Sequence, residues 1–327
     1  MSDRTPDVIA ANDLTKHFPV KAGVAFGRSH GVVKAVDGVD FSIEHGKTLA
    51  LVGESGCGKT TITRLTLRLE TPSEGEILWN GEDIHALDRA DLKRYRRSVQ
   101  AVFQDPWSSL NPRMRVKELV AESLITARDT PRREIEDRVA AVLEDVGLQR
   151  DRMRSFPHEV SGGQRQRIAV AAALISNPEV IVLDEPVSAL DVSIRSQIMN
   201  LFKDIQEKYQ VSYLLVAHDL GTTRYMADQI AVMYLGKIVE IAPTETLFEE
   251  TQHPYSQALL SSALPSHPDI ERDTIILKGE VPSPLNPPPG CPFHPRCPHS
   301  MGTRCEVEVP ILKEIAPNHF SACHLND

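Results

Sequence analysis

The apolar residues of this chain of 327 residues follow two patterns: short continuous runs, and apolar positions that recur at helical spacing. Continuous apolar runs bounded by glycine or polar residues predict buried strands at 48–52, 180–183 and 213–216. The segments that follow or precede these runs are predicted to be helices, at 61–69, 163–175 and 192–209. Strands that alternate with helices predict an α/β fold with a parallel sheet covered on both faces.

Two segments depart from this alternation. Residues 8–52 are expected to form short strands joined by loops, which end in the buried run at 48–52. Between 105 and 158 the pattern becomes helical, because Pro131 precedes apolar residues that recur at helical spacing over 132–146. We interpret this second segment as a helical insert.

The end of the chain changes in composition. It is proline-rich from 265 to 298, and the Pro-Pro-Pro-Gly sequence at 287–290 excludes a helix there. We expect one domain over 1–243, with a helical subdomain at about 105–160, and a C-terminal extension over 244–327. The chain has no internal repeat, which predicts one such domain and not a tandem pair.

Composition and charge narrow the class of function. The chain has 41% hydrophobic residues, 25% charged residues and a formal net charge of -9, which argue for a globular protein without a nucleic-acid partner. The first 12 residues are polar and lack the apolar core of a secretory signal, so we expect a cytoplasmic protein. The longest apolar runs, such as 168–175 and 211–217, are far below the ~20 residues that span a bilayer. Any membrane role is therefore expected to be peripheral.

A glycine-rich loop follows the strand predicted at 48–52. It reads Gly53-Glu54-Ser55-Gly56-Cys57-Gly58-Lys59-Thr60 and fits the G-x-x-x-x-G-K-[ST] pattern that binds phosphates with main-chain N–H groups. Lys59 is predicted to bind the β- and γ-phosphates of ATP, Thr60 to ligate Mg²⁺, and Thr61 to complete the nucleotide site. The alternatives are an ordinary flexible loop and, for Cys57, a redox thiol at a helix N-terminus.

Polar residues follow three of the apolar runs. Asp184 is predicted to hold Mg²⁺, and Glu185 to act as the general base on the attacking water. His218 would contact the γ-phosphate or that water, and Gln104 would ligate Mg²⁺ and accept from the water. The alternative for the acidic pair is a solvated strand end, and for His218 a structural role.

A second potential anion site begins the helix predicted at 163–175. Ser161 is a good helix N-cap, and Gly162 and Gly163 leave the first amides uncovered before Gln164. An ordinary serine-capped helix is the alternative.

Together these motifs resemble an ATP-binding cassette, with Ser161-Gly-Gly-Gln between the phosphate loop and Asp184-Glu185, and Ser188-Ala-Leu-Asp191 and His218 after them. The resemblance implies a P-loop NTPase with a RecA-like parallel sheet, an antiparallel β subdomain and a helical subdomain. It also implies that two cassettes pair head to tail, so that Ser161 and Gly163 complete the opposing ATP site and Asp191 lies at the dimer contact. Phe18 is similar in position to the aromatic residue that stacks on adenine, with a core phenylalanine as the alternative.

Further sequences resemble the ATPase subunits of dipeptide and oligopeptide importers. These are the Pro-Trp-Ser-Ser-Leu-Asn-Pro sequence at 106–112, His253-Pro-Tyr255, the Gln-Ala-Leu-Leu sequence at 257–260 and the cysteine-containing tail. The resemblance implies a translocase subunit on the cytoplasmic face of the inner membrane, with a second ATPase subunit, two permeases and an extracytoplasmic solute-binding protein as partners. Nickel or glutathione import, a soluble cassette ATPase, and a metal-cluster regulator with a vestigial ATPase are the alternatives.

Four of the five cysteines lie close together in the tail, at Cys291, Cys297, Cys305 and Cys323. A cytosolic chain rarely keeps disulfides, so their number fits a [4Fe–4S] cluster or tetrahedral Zn²⁺, with unligated thiols as a third possibility. The importer resemblance favours the cluster, whose role would be to fold a segment poor in apolar residues. His294 and His299 are potential replacement ligands.

Overall fold

The computed structural model describes residues 7–21, 29–105, 110–128, 130–262 and 274–327. The strands are β1 Asp7–Lys21, β2 Ser29–Glu44, β3 Thr48–Val52, β4 Glu74–Trp79, β5 Glu82–Asp83, β6 Val99–Val102, β7 Val180–Asp184, β8 Ser212–Val216, β9 Gln229–Tyr234, β10 Lys237–Pro243, β11 Lys313–Ala316 and β12 His319–Ser321. The helices are α1 Lys59–Thr66, α2 Arg89–Ser98, α3 Val116–Ala127, α4 Arg132–Asp145, α5 Gly162–Leu174, α6 Val192–Tyr209, α7 Leu220–Met226, α8 Thr244–Glu249, α9 Pro254–Ser261 and α10 Thr303–Val307.

The chain divides into two compact units. The first unit consists of residues 1–8, 43–47 and 79–215, and the second of residues 9–42, 48–78 and 216–327.

The first unit contains short parallel strands and helices α2 to α6. Strand β6 pairs with β7 in parallel, from Val99 opposite Val180 to Val102 opposite Leu183. Side chains 180–183 of β7 are completely buried, which explains why this run lacks the alternation of a strand exposed on one face. Helices α3, α4 and α5 pack on one another, and α5 also packs on β6.

The second unit contains a mixed sheet. Strand β3 pairs with β9 in parallel, β9 and β10 are antiparallel, and β12 joins the far edge of β10 with Glu240 opposite Ser321. Strand β11 is antiparallel to β12, so residues 313–321 near the C-terminus extend this sheet. Strands β2, β1 and β4 form a separate sheet in that order.

Most predicted elements are present within a few residues of their expected bounds, including α4 immediately after Pro131 and α6 over 192–209. The expectation of short strands over 8–52 is wrong for the first two strands, because β1 and β2 contain 15 and 16 residues. Asp13 within β1 has a φ of 47°, which is uncommon for a residue other than glycine and departs locally from extended backbone. No helix among the described residues is both long enough and apolar enough to cross a bilayer.

Candidate nucleotide-binding site

The glycine-rich loop connects β3 to α1 in the second unit. Gly53 has a φ of 149°, and a Cβ atom there would lie 2.2 Å from the carbonyl oxygen of Met233. Gly58 has a φ of 118°, and its Cβ atom would lie 2.3 Å from the carbonyl oxygen of Ala35. Because both the backbone angle and the close contacts exclude a side chain, these two glycines determine the path of the loop.

Lys59 begins α1 and lies inside the curve of the loop. Its side chain is buried, and its Nζ donates to the carbonyl oxygens of Gly53 at 2.7 Å and Glu54 at 3.1 Å. Thr60, the next residue, is exposed. An ammonium held within a loop of glycines at a helix N-terminus fits a phosphate ligand, because this arrangement concentrates positive potential.

Cys57 is a buried member of the same loop. Burial raises the pKa of its thiol, although Lys59 acts in the opposite direction. A thiol with a raised pKa is a poor nucleophile, so the alternative reading of Cys57 as a redox group has no support.

Two of the predicted catalytic side chains meet in the first unit. Gln104 Nε2 donates to Glu185 Oε2 at 2.8 Å, and this hydrogen bond orients the carboxylate. Glu185 follows β7 with a φ of 50°, which is uncommon for a residue other than glycine. Such backbone strain costs about 1 kcal/mol or more and is concentrated at functional sites. Asp184 is half-buried at the end of β7.

The Ser-Gly-Gly-Gln sequence forms the start of α5. Gln164 N–H donates to Ser161 Oγ at 3.3 Å, and Ser161 N–H donates to Gln164 Oε1 at 3.1 Å, so the two residues cap the helix reciprocally. A Cβ atom on Gly162 would meet nothing within 4 Å, whereas one on Gly163 would lie 2.9 Å from Ile194 Cγ2. Asp191, at the start of α6, is exposed.

Two further predicted site residues lie in the second unit. His218 is exposed after β8, and the following Asp219 caps α7 by accepting from the N–H groups of Gly221 and Thr222. Phe18 lies in β1 and is partly exposed, with Lys16 Nζ 4.9 Å from the centre of its ring. The ring of Phe18 is therefore partly accessible to a stacking partner.

The four tail cysteines line one small cavity of about 10 Å³, together with His294 and His299. All four are free thiols. Burial raises the pKa of Cys291 to about 11 and also raises the pKa of Cys297 and Cys323, and the neighbouring thiols add to each shift. In their present arrangement, the described His, Cys, Asp and Glu side chains include no group of three or more that holds a metal ion. The four cysteines therefore lie near one another, and no formed metal site is seen in this part of the chain.

The structure also reveals contacts to the phosphate loop that the sequence did not indicate. Glu54 accepts two hydrogen bonds from Arg296, with Nη1 2.8 Å from Oε2 and Nη2 3.0 Å from Oε1. The Glu54 N–H donates to Tyr255 Oη at 2.9 Å. Hydrogen bonding to Glu54 raises the pKa of Arg296. One sequence signal could have pointed to these contacts. Tyr255 and Arg296 each occur in a sequence that resembles importer ATPases, His253-Pro-Tyr255 and the cysteine-containing tail.

Tyr255 is itself held in place by a buried polar cluster on β10. The carboxylate of Glu240 is fully buried and accepts from the N–H groups of Gln252 at 2.8 Å and His253 at 3.0 Å, and it contacts His319 Nε2 at 2.8 Å. His253 Nδ1 accepts from the Tyr255 N–H at 3.0 Å. Burial lowers the pKa of His253 to about 4, so its ring is neutral at physiological pH.

Comparison with known proteins identifies the class. Residues 36–188 match the family model described as "ABC transporter". A dimeric ATP-binding cassette solved in a post-hydrolysis state with ADP and phosphate matches with a TM-score of 0.63 and 28% identity, over 72% of this chain and 98% of that one. A subunit of an ABC transporter complex from Clostridium perfringens has the same TM-score at 27% identity, over 75% of this chain and 91% of that one. The fold is thus that of a P-loop NTPase, and the chain belongs to the ATP-hydrolysing cassettes of the ABC transporter family.

The comparisons also define the branch of this family. Residues 239–305 match the model "Oligopeptide/dipeptide transporter, C-terminal region". The oligopeptide transport ATP-binding protein AppF of Bacillus subtilis is 47% identical over 321 residues, which cover 97% of each chain. The dipeptide transport ATP-binding protein DppF of Escherichia coli is 45% identical, over 94% of this chain and 91% of its own length.

Proposed function

We propose that this chain is the ATP-binding and ATP-hydrolysing subunit of an importer of dipeptides or oligopeptides. The observation that carries the proposal is the match of both the cassette and the tail to peptide-transport ATPases along nearly the whole chain. Nickel or glutathione import and a soluble cassette function lack an equivalent supporting match among these relatives. The chain would act on the cytoplasmic face of the inner membrane as a peripheral subunit.

The proposed ATP site uses the phosphate loop 53–60 and Thr61. In this proposal Lys59 binds the β- and γ-phosphates, and Phe18 stacks on adenine. Thr60, Gln104 and Asp184 would hold Mg²⁺, which, when bound, offsets the negative charge of the phosphates. The hydroxyl, amide and carboxylate oxygens of this set are donors that Mg²⁺ prefers.

Hydrolysis requires a water molecule to lose a proton as it attacks the γ-phosphate. We assign Glu185 as the general base, since Gln104 orients its carboxylate at 2.8 Å. His218 would hold the γ-phosphate or the water. The segment 161–164 of a second cassette would complete the site, with Asp191 at the contact between the two subunits.

The proposed complex contains a second ATPase subunit, two transmembrane permeases and an extracytoplasmic solute-binding protein. In the proposed domain arrangement, residues 1–243 form the cassette, with a helical subdomain at about 105–160, and residues 244–327 form the extension. The cleft beside Gln104 would receive a short cytoplasmic helix from each permease. Part of the sequence that resembles importer ATPases, residues 106–109, lies outside the described residues.

The substitution Glu185→Gln tests the hydrolytic part of the proposal. In the reconstituted transporter, MgATP binding should persist while peptide-stimulated hydrolysis falls at least ~100-fold, because an amide cannot accept the proton from water. Glu207→Gln, an exposed site near the end of α6 and outside the helical subdomain, is the matched control and should hydrolyse ATP at the wild-type rate.

Two results would count against this proposal. Near-normal turnover by Glu185→Gln would remove Glu185 from the role of base. Stimulation of hydrolysis by nickel- or glutathione-loaded solute-binding protein, but not by the peptide-loaded form, would overturn the proposed substrate class.

We also propose that Cys291, Cys297, Cys305 and Cys323 bind a [4Fe–4S] cluster. The shared cavity and the free thiols support the proposal, although a cluster requires these side chains to reorient because the cavity holds only about 10 Å³. Anaerobic purification should yield a brown protein with about four irons per chain. Cys297→Ser should lower the iron content, whereas Cys57→Ser, outside the tail, should retain it. Stoichiometric zinc without iron would overturn the cluster.

A further inference from the structure

Glu54 places a negative charge within the phosphate loop. It is the only acidic residue in the sequence 53–60, and its backbone carbonyl accepts a hydrogen bond from Lys59 Nζ at 3.1 Å. A free carboxylate at this position would repel the phosphates of ATP, and the repulsion would offset part of the attraction of Lys59. The loop therefore needs a partner that neutralises this charge without occupying the phosphate position.

Arg296 has the geometry of such a partner. Its guanidinium meets the Glu54 carboxylate through two parallel hydrogen bonds of 2.8 Å and 3.0 Å. This two-bond pairing of planar groups is stronger and more directional than a contact made by a lysine. The Arg296 side chain is only 8% exposed and that of Glu54 30%, so solvent screens the pair less than it would screen a surface pair.

The position of Arg296 is fixed by its surroundings. The Arg296 N–H donates to the Phe293 carbonyl at 3.0 Å within a tight turn, and Nη1 lies 3.5 Å from Tyr234 Oη. The Phe293 ring packs against the rings of Tyr234 and Tyr255, with centroid separations of 5.3 Å and 5.4 Å. The guanidinium is thus held in place by an aromatic cluster. Because its position is already fixed, Arg296 loses little further conformational entropy when it pairs with Glu54.

Tyr255 and Arg296 act on different groups of the same residue. The hydroxyl of Tyr255 accepts from the Glu54 N–H at 2.9 Å and so holds the main chain, whereas Arg296 holds the side chain. A cavity of about 230 Å³ on this side is lined by residues 54–57 and by residues 281–284 of the extension. The C-terminal extension therefore borders the phosphate loop over several residues.

We propose that Arg296 is a positioning residue for ATP, which neutralises and holds Glu54 so that the phosphate loop attracts the nucleotide. This inference rests on the proposed assignment of 53–60 as the ATP site. The competing interpretation is that the pair only attaches the extension to the cassette. The two interpretations predict opposite effects on MgATP binding when the Glu54 carboxylate alone is removed. If Arg296 neutralises Glu54, the loss of the repulsive charge leaves binding at least as tight. If the pair only attaches the extension, the loss of the attachment weakens binding.

Nucleotide binding by the full chain separates the two interpretations. Arg296→Gln should weaken MgATP binding and raise the KM for ATP about tenfold while kcat stays within about twofold, since an uncompensated carboxylate acts on phosphate binding. The double variant Glu54→Gln/Arg296→Gln should bind MgATP within about threefold of the wild type, because both charges are absent. Arg224→Gln is the matched control, since Arg224 forms a similar forked pair with Glu245, outside the loop, and should leave the affinity unchanged.

Wild-type affinity in Arg296→Gln, or a double variant that binds no better than Arg296→Gln, would overturn the inference. If Arg296→Gln does not fold, Glu54→Gln decides: the inference predicts binding at least as tight as in the wild type, and weaker binding contradicts it. A wild-type chain that binds no MgATP would instead defeat the proposed function. The two failures are therefore distinguishable.

Discussion

At the scale of single residues, several side chains of this protein sit in states that isolated amino acids disfavour. Glu185 adopts a left-handed backbone beside Gln104, and Glu240 is a carboxylate with no solvent exposure. Each is compensated by hydrogen bonds from its neighbours, which is the condition for keeping such groups in a folded chain. His253, in the cluster around Glu240, has a consequence for stability that can be measured.

The pKa of His253 is lowered from 6.5 to about 4 by burial, so the unfolded chain takes up a proton at a higher pH than the folded chain. The free energy of unfolding should therefore fall as the pH drops from 6.5 towards 4. Between pH 7 and pH 5 this one residue should contribute a loss of up to about 2 kcal/mol.

His253→Asn is the variant that isolates this contribution. Asparagine keeps an acceptor for the Tyr255 N–H but does not titrate, so the variant should lose less stability than the wild type over the same pH range. The measurement is chemical denaturation at pH 7 and at pH 5. If the wild type and His253→Asn showed the same pH dependence of stability, His253 would have to bind the same number of protons in the folded and the unfolded chain, which contradicts the prediction.

At the scale of secondary-structure elements, the start of α5 combines two glycines with different surroundings. Gly163 approaches Ile194 of α6 so closely that a Cβ atom would lie 2.9 Å from Cγ2, while Gly162 faces open space. Gly163→Ala should therefore destabilise the protein by about 1–3 kcal/mol through overpacking, because Ile194 is β-branched and cannot easily move aside. A lower melting temperature should report this loss.

Gly162→Ala is the control for this prediction, since it adds the same methyl group one residue earlier on the same helix. It should be neutral or stabilise the protein by up to about 1 kcal/mol, because alanine favours helix more than glycine does. Equal melting temperatures for the two variants would contradict close packing between α5 and α6.

At the scale of the whole molecule, local pattern and long-range pairing were predictable to different degrees. The strands at 48–52 and 180–183, the helix at 192–209 and the serine cap of α5 follow from residues near one another in sequence, and the structure contains them. Helix α3 was not predicted individually, although Val116, Leu119, Val120 and Leu124 are buried at helical spacing.

Contacts between distant parts of the chain were not predictable in this way. Glu54 and Arg296 are separated by 242 positions, and the local sequence around either residue does not predict that the two side chains form a contact. The same limit applies to Glu240 and His319, which are 79 positions apart. The four cysteines were expected to come together because they were already close in sequence, whereas the arrangement of their thiols depends on side-chain geometry that spacing does not encode.

Arg296 and Cys297 are consecutive residues, so the phosphate loop and the thiol cavity share one short turn. Cys297 N–H donates to the His294 carbonyl at 3.3 Å, and His294 N–H donates to the Cys291 carbonyl at 3.0 Å, which connects that turn to a second cysteine. If the thiols bind a metal, as proposed, and its binding moves the turn, the affinity of the phosphate loop for nucleotide would change as well. By thermodynamic reciprocity, bound nucleotide would then change the affinity of the thiols for that metal by the same factor. The two proposals together therefore predict that nucleotide binding and metal binding are linked through this turn.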